Sequence, residues 1–380
     1  MCRGVVGLRP MTTTPLSLVS VFDDLPDPRM DRCKEHRLTD LLVIGVCTLL
    51  VGGEGAYDMA DFGRSREEWL RTFLPLPNGI ASHDTFNRVF QLLDPVVFAE
   101  AFALWTQGLR EHLDREVVAL DGKAVRRAVE AGQSARHLVS VWATENGLTL
   151  GQSLVAEKSN EITAVPALLR QLELAGCIVT ADALHCQKET AREIIEADAD
   201  YVLALKGNQG TAHEEIKAYL DDAVERRDPG LAALTTVEKG HGRLETRRYW
   251  QSEAIDWFAD RAEWPGLRSV GLVEATREIG DKVSVERRYY LSSLPQDVAL
   301  FAKAVRAHWA IENQCHWVLD VVFREDQSRA RSGHAIANLG ILRRLALNIL
   351  RKDRSLDRGI HRKQLHAALN LDYLRYLLKI

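Results

Sequence analysis

The sequence is poor in cysteine and has no long apolar run, and each of these absences excludes a class of protein. Its six cysteines include no CxxC pair, which argues against both a disulfide framework and a zinc knuckle. The longest apolar stretch, residues 41–53, covers 13 residues including its glycines, whereas a membrane span needs roughly 20. No cleavable signal sequence opens the chain, so we expect a cytoplasmic protein without a membrane partner.

The common motifs of small-molecule enzymes are also absent. The chain contains no GxGxxG, GxxxxGKS/T, HExxH or GxSxG sequence. These motifs hold nucleotides, zinc or a serine nucleophile, so their absence disfavours the enzyme classes that depend on them.

Charge is distributed unevenly along the chain. The net charge is −4, from 49 Lys plus Arg and 53 Asp plus Glu. Residues 301–380 carry 15 Lys plus Arg and 7 Asp plus Glu, a balance of +8 that leaves −12 for the rest. A basic C-terminal segment could contact phosphates while carboxylates elsewhere bind a metal. A solvated basic helix explains the charge equally well.

The length of 380 residues allows two or three domains. Residues 1–20 are irregular, and the true start could be Met1 or Met11. Short helical patterns separated by Gly and Pro predict a helical N-terminal domain at 21–112. This domain could hold a DNA-binding helix-turn-helix or be a plain scaffold. The last segment, 353–380, is predicted to be a basic helix.

A different pattern begins at residue 113. Short apolar runs predict three successive strands, with Asn146-Gly147 as the hairpin signal between the second and third. Three antiparallel strands followed by alternating helices and parallel strands is the order of a ribonuclease-H-like α/β domain, which we predict for 113–210 and 296–352. The predicted elements are strands at 117–120, 137–144 and 148–156, a helix at 162–174, a strand at 177–180, a helix at 188–197 and a strand at 201–205.

Two aspartates stand where predicted strands of this domain end. In the predicted topology the strands before Asp121 and Asp182 are parallel neighbours, so both side chains emerge at the carboxyl edge of the sheet. Two close carboxylates repel one another, and a divalent cation between them removes that cost. The pair therefore predicts a magnesium site, although each Asp taken alone could be a turn residue.

The alternation of helix and strand lapses between residues 211 and 295, where strand-like runs predict a β-rich insertion. The insertion contains Lys239-Gly240-His241-Gly242-Arg243. The glycines would let the backbone and basic side chains approach a phosphate. A basic hairpin tip without a ligand is the alternative.

A long helix predicted at 298–323 carries a polar row with a spacing of four, namely His308, Glu312, His316 and Asp320. The structural interpretation is that the row is one polar stripe of an amphipathic helix. The functional interpretation is that Glu312, a carboxylate on a rigid helix packed against the sheet, is a third metal ligand. A zinc site is disfavoured, because no further His or Cys stands at ligand spacing.

Several motifs follow one another along nearly the whole chain. They are Phe22-Asp23-Asp24-Leu25-Pro26-Asp27-Pro28-Arg29, Ser82-His83-Asp84-Thr85-Phe86, Leu120-Asp121-Gly122-Lys123, Thr180-Ala181-Asp182-Ala183-Leu184-His185-Cys186-Gln187, Lys206-Gly207-Asn208-Gln209, His241-Gly242-Arg243 and His308-Trp309-Ala310-Ile311-Glu312-Asn313. Together they resemble the DDE transposases of ISAs-type insertion sequences, which are also called H-repeat-associated proteins.

The resemblance implies a mixed α/β fold with a ribonuclease-H-like catalytic core and a β-rich insertion, preceded by a helical domain that could bind DNA ends. It implies that Asp121, Asp182 and Glu312 form the catalytic and metal-binding triad. The implied cofactor is Mg²⁺, with Mn²⁺ as a substitute. Glu325 and Asp326 are the alternatives for the third acid.

Some related transposases have a Tyr-Arg-Glu-Lys signature around the third acid. Here Glu312 matches the glutamate, while Val305 stands at the tyrosine position, His308 at the arginine position and Leu319 at the lysine position. The resemblance therefore does not imply that this protein uses the hairpin-forming pathway of those relatives. Three further residues look typical of the family without a role that we can assign, namely Asn338, Arg343 and Asn348.

The function implied by the resemblance is metal-dependent cleavage at transposon ends and transfer of the 3′-OH strand into target DNA. The implied partners are DNA and, because two ends must be paired, a second copy of the chain on that DNA. A ribonuclease-H-like nuclease without strand transfer and an inactive DNA-binding remnant are the alternatives. The candidate DNA contacts are Lys123, Arg126, Lys206, Asn208, His241, Arg243 and Arg306.

Overall fold

The computed structural model describes residues 17–125, 136–155, 161–240 and 242–378. At its centre lies one sheet of nine strands, in the order β3-β2-β1-β4-β5-β9-β8-β7-β6. The strands are β1 Val117–Val125, β2 Arg136–Ala143, β3 Leu148–Val155, β4 Ile178–Ala181, β5 Asp200–Leu205, β6 Ala232–Gly240, β7 Arg243–Ser252, β8 Ser269–Ile279 and β9 Lys282–Ser292.

Helices precede, connect and follow these strands. No single helix among the described residues is long and apolar enough to cross a membrane; only α5 and α6 together, which meet at 91°, pass that test of length and composition. The helices are α1 Leu18–Asp23, α2 Leu38–Leu50, α3 Ala56–Ser65, α4 Glu67–Leu70, α5 His83–Leu92, α6 Pro95–Leu109, α7 Glu161–Leu169, α8 Lys188–Glu196, α9 Gly210–Glu225, α10 Val298–His308, α11 Trp317–Val321, α12 Ala335–Lys352, α13 Ile360–Leu369 and α14 Leu371–Leu377.

The first five strands have the predicted topology. Strands β1, β2 and β3 pair antiparallel. Strand β4, which follows α7, pairs parallel with β1, and β5, which follows α8, pairs parallel with β4. Every residue of the short strand β4 is buried, which agrees with the apolar runs expected of a central parallel strand. The predicted fold class, a mixed α/β protein with a ribonuclease-H-like core behind an all-helical N-terminal region, is confirmed.

The β-rich segment extends the same sheet. Strand β9 pairs antiparallel with β5, and β8, β7 and β6 follow in turn. The sequence predicts strand-like runs in this segment at 244–251, 268–277 and 283–291, so strand β6 is missing from the prediction. Its residues alternate between half-buried and exposed at the sheet edge, and none is fully buried, so the apolar signal of a strand is weak there.

The predicted long helix at 298–323 is broken into three parts. Helix α10 ends at His308, a π-helical turn covers Ile311–His316, and α11 continues from Trp317. A π-turn holds more residues per turn than an α-helix, and such turns are frequent at functional sites. The predicted C-terminal helix is likewise two helices, α13 and α14, because Asn370 between them caps α14 through the backbone N–H of Tyr373.

Helix α12 packs against both the helical N-terminal region and the sheet, and two of its polar residues hydrogen-bond to these two parts. The amide of Asn338 donates to the backbone oxygens of Phe90 and Leu93 at the end of α5, at 2.9 and 2.8 Å. The amide of Asn348 donates to the Thr149 oxygen of β3 at 2.8 Å and accepts from the Thr149 N–H at 2.9 Å. Both asparagines are buried, so each satisfies backbone groups that would otherwise be unpaired.

Helix α10 packs closely over the sheet at a glycine. A Cβ added to Gly271 of β8 would lie 2.4 Å from the ring of Phe301. The same ring makes edge contacts with Tyr249 and Tyr290, at centroid distances of 6.5 and 5.5 Å. The glycine therefore lets α10 approach the sheet through Phe301.

We expect Gly271→Ala to lower the free energy of unfolding by about 1–3 kcal/mol, because the new methyl group overpacks this contact. Urea denaturation monitored by circular dichroism measures the change. Gly240→Ala is the matched control on a strand, since no atom lies within 4 Å of its added Cβ. Equal losses in the two variants would contradict the proposed contact, and Phe301→Leu in the Gly271→Ala background should recover part of the loss.

Candidate active site

Asp121 and Asp182 lie where the parallel pairing of β1 and β4 ends. Asp182 directly follows β4, as predicted, whereas the predicted strand end at Asp121 is wrong, because β1 continues to Val125. Their preceding residues, Leu120 and Ala181, are register partners in the parallel pair of β1 and β4. Asp121 accepts a hydrogen bond from its neighbouring Gly122 N–H at 2.9 Å. One oxygen of Asp182 accepts from the N–H groups of Leu184 and His185, at 3.1 and 3.3 Å, while the side chain stays 48% exposed.

Three candidate metal ligands converge near this point. One ligand atom each from Asp121, Glu312 and His316 lies within 4.8 Å of the other two. The imidazole Nε2 of His316 lies 3.3 Å from Asp121 Oδ2, without the alignment of a hydrogen bond. Glu312 is exposed and His316 is buried, so the group opens to solvent on the side of Glu312. Asp182 lies outside this group of three.

The contacts of His316 within the protein favour its protonated form, whereas a metal ligand must be a neutral imidazole, so binding a cation through His316 would release this proton. Burial lowers the pKa of His316, but contacts with Asp121 and Cys315 outweigh burial and raise the pKa well above its usual range. Burial likewise raises the pKa of Asp121, and the neighbouring His316 reverses that shift, so the pKa is lowered overall. Each of these two groups therefore stabilises the charged form of the other.

A second histidine, His308, lies between α10 and β4. Its Nδ1 is 3.1 Å from the hydroxyl oxygen of Thr180. Burial lowers the pKa of His308 even though the charges of Asp121 and Asp182 act in the opposite direction. Burial therefore favours the neutral form of its imidazole.

The side chains of this group suit a divalent cation. Carboxylate oxygens are the ligands that Mg²⁺ and Mn²⁺ prefer, and an imidazole nitrogen is compatible with transition metals. The sequence prediction included Asp121 and Glu312 but did not count His316 as a ligand. The signal for His316 was its spacing of four from Glu312, which also fits an ordinary amphipathic helix.

Lys123 occupies a cluster of carboxylates. Its ammonium group contacts Asp320 and lies 3.3 Å from both Glu325 Oε2 and Asp326 Oδ1. The side chain is only 10% exposed. The prediction that Lys123 contacts DNA is not supported by this arrangement, because three acids surround its charge and little of it reaches solvent.

The same cluster accounts for the alternative third acids. Glu325 is buried and accepts a hydrogen bond from Arg344 Nη1 at 2.8 Å. Burial raises the pKa of Glu325, but Arg344 and Lys123 outweigh burial and lower the pKa to about 2. Because Glu325 and Asp326 are engaged with Lys123, the geometry favours Glu312 as the third acid.

The motif after β5 supports the loop that carries Asp182. Asn208 donates to the Ala183 oxygen at 2.7 Å, and Gln209 donates to the Cys186 oxygen at 2.6 Å. The side chain of Asn208, predicted to contact DNA, therefore holds the backbone next to Asp182.

The other predicted DNA contacts have different surroundings. Lys206 is exposed at the end of β5. Arg243 lies 3.1 Å from Glu245, and Arg306 donates two hydrogen bonds to Glu238, at 3.0 and 3.1 Å. Arg126 and His241 lie outside the residues that the structure describes.

A groove of about 520 Å³ lies between strands β7–β9 and the segment of α10 and the π-turn that includes Trp309 and Asn313, the residue after Glu312. Trp309, 42% exposed, forms part of its wall, and the guanidinium of Arg288 lies 4.9 Å from the centre of the Trp309 ring. Its basic and polar lining residues include Arg243, Arg247, Arg277, Arg288, Arg306 and Asn313.

Two sequence-family models match the chain. The model described as "Transposase DDE domain" matches residues 112–349, and the model described as "DDE_Tnp_1-associated" matches residues 19–106. The first covers more than half of the chain and includes Asp121, Asp182 and Glu312.

Named relatives agree with these matches. The chain is 39% identical to "Putative transposase YncI" of Escherichia coli O157:H7, over 95% of this chain and 94% of the relative. It is 36% identical to "H repeat-associated putative transposase YhhI" of Escherichia coli K12, over 93% of this chain and 95% of the relative.

The fold is similar to that in a cryo-EM structure of a piggyBac transposase synaptic complex with hairpin DNA, and the alignment covers 95% of this chain and 77% of the piggyBac chain. Its TM-score of 0.45 at 10% identity is too low to carry an argument. The family matches and the relatives confirm the resemblance to H-repeat-associated transposases. The chain therefore belongs to the DDE transposase family and is the transposase of an insertion sequence.

Proposed function

We propose that this transposase cleaves DNA at the ends of its element and joins the freed 3′-OH to target DNA, with Asp121, Asp182 and Glu312 holding a divalent cation. The observation that carries the proposal is the approach of Asp121, Glu312 and His316 to within 4.8 Å of one another. The position of Asp182 next to Asp121 on the neighbouring parallel strand supports its place in the same set. Membership of the family supports DNA as the substrate.

One site can serve both reactions, because each is an in-line attack of an oxygen on a phosphodiester. When bound, a divalent cation lowers the pKa of the attacking water and stabilises charge on the phosphate. The part of this chain is to hold Asp121 on β1 and Glu312 on the π-turn, so that both carboxylates face one volume. The exposed side at Glu312 leaves room first for water and then for the 3′-OH of the DNA.

We propose that the groove beside Glu312 receives one strand of the DNA. Its arginines are paired with glutamates, as Arg306 is with Glu238, and a phosphate could replace such a carboxylate. An exposed tryptophan under a guanidinium, as in the Trp309 and Arg288 pair, suits a base that has left the duplex.

We also propose that two copies act together on the DNA, because the two ends of an element must be joined in one event. We propose the cytoplasm as the place of action, since DNA is the proposed substrate. Mg²⁺ is the proposed cofactor, with Mn²⁺ as a substitute, because both accept carboxylate ligands.

We expect Asp182→Ala and Glu312→Gln each to reduce cleavage and joining by about 100–1,000-fold, the scale of losing one electrostatic partner in a catalytic site. The assay incubates purified protein with Mg²⁺, a labelled duplex of the element's end and a target plasmid. Glu189→Gln is the matched control, because Glu189 is an exposed helical acid that pairs only locally, with Arg192.

Each outcome of this assay has a distinct meaning. A wild-type chain that binds the end without cutting would be an inactive remnant, and one that cuts without joining would be a nuclease. Activity retained in Glu312→Gln alone would move the third acid elsewhere, with Glu325 as the next candidate.

We expect His316→Gln to weaken Mn²⁺-supported cleavage more than Mg²⁺-supported cleavage, because loss of the imidazole removes a nitrogen that Mn²⁺ tolerates better than Mg²⁺ does. The ratio of the two rates, measured at saturating DNA, checks the expectation. A ratio equal to that of the wild type would mean that His316 serves only as the charged neighbour of Asp121.

A further inference from the structure

We propose that Lys123 and Arg344 are positioning residues of the active site. Through Glu325 and Asp320 they hold the segment that carries Glu312 and His316 against β1, which carries Asp121. The inference rests on the proposed function, since it concerns the same metal-binding group.

Lys123 links strand β1 to the chain that follows His316. It stands two residues after Asp121, so both side chains leave the same face of the strand. Its ammonium group contacts Asp320 and approaches Glu325 and Asp326 to 3.3 Å. All three acids lie within ten residues of His316 along the chain. Lys123 therefore forms ion pairs that connect β1, which carries Asp121, to the segment that follows Glu312 and His316.

Arg344 of α12 completes the link from the other side. Its Nη1 donates to Glu325 at 2.8 Å, and its Nε and Nη2 donate to the Ser140 hydroxyl at 3.3 and 3.2 Å. Ser140 is the register partner of Asp121 on β2. Glu325 thus bridges two cations, one beside Asp121 on β1 and one that contacts the residue opposite Asp121.

The contacts of Lys123 and Arg344 with Glu325 and Asp320 form a brace around the site. This brace is needed because the carboxylate ligands themselves repel one another. Asp121 and Glu312 bring two carboxylates into one volume, and without a cation this repulsion favours their separation. Glu312 lies on the π-turn directly before α11, and Asp320, which contacts Lys123, lies on α11. Removing one partner of a buried ion pair leaves an uncompensated charge, so loss of Lys123 should disturb the segment of Glu312.

The test measures Mn²⁺ binding by electron paramagnetic resonance on the full chain, without DNA. The main variant is Lys123→Met with Asp320→Asn, which removes the pair and leaves the net charge unchanged. We expect its Mn²⁺ affinity to fall by roughly 10-fold or more, the range found for residues that orient metal ligands. Lys123→Arg, which keeps the cation, should recover most of the affinity.

Lys363→Met is the matched control. Lys363 is also buried, donates to the Leu350 oxygen at 2.9 Å and lies 3.3 Å from Asp353, but it is not part of the cluster around Lys123. It should lower the melting temperature without changing Mn²⁺ affinity. If the pair variant does not fold, Arg344→Lys carries the same test, since it keeps the charge and loses the forked contact with Glu325 and Ser140.

Unchanged Mn²⁺ affinity in the pair variant would overturn the inference. So would an equal loss in Lys363→Met, because the effect would then be general destabilisation. The single variant Lys123→Met separates two roles of the lysine. Tighter Mn²⁺ binding would mean that Lys123 acts only through its charge, while weaker Mn²⁺ binding supports a positioning role. A wild-type chain that binds no Mn²⁺ overturns both the metal site and the inference, whereas one that binds Mn²⁺ but never cleaves DNA contradicts the proposed function alone.

Discussion

The central constraint on this fold is the repulsion between carboxylates that must share one small volume. The parallel pairing of β1 and β4 brings Asp121 and Asp182 close to one another, and the π-turn adds Glu312. Around them the chain sets opposite charges: His316 beside Asp121, and Lys123 and Arg344 within the neighbouring acid cluster. The buried contacts of Lys123 and Arg344 thus help to keep an electrostatically unfavourable site assembled.

Much of the fold can be predicted from the sequence because its signals are local. The Asn-Gly hairpin, the apolar runs before Asp121 and Asp182, and the alternation with helices specify the first five strands. Parallel pairing of β1 and β4 then brings the two aspartates together by topology alone. Strand β6 escapes prediction because an exposed edge strand needs no apolar face, and the broken helix at Ile311–His316 escapes because a π-turn leaves no periodic mark.

The surroundings of the candidate site are harder to predict, because they depend on residues far apart in sequence. Lys123 is a residue type that commonly contacts phosphate, yet its ammonium group contacts the carboxylate of Asp320, which is almost 200 residues away in sequence. Asn208 also suits DNA, yet it holds the loop of Asp182. Asn338 and Asn348 had no assignable role, because their partners are backbone atoms of other elements. Residue type and spacing identify chemistry, but only tertiary contacts decide whether a charge is available to a ligand.

The bridge between Glu325 and Arg344 has a consequence for the synthesis of the protein. Strand β1 emerges early from the ribosome, whereas α12 is among the last elements to be made. The contacts around the candidate site join residues about 200 positions apart, and such long-range contacts slow folding. A nascent or prematurely terminated polypeptide that ends before α12 therefore lacks the contacts of Arg344 with Glu325 and Ser140, which would link the proposed DNA cleavage to completed translation.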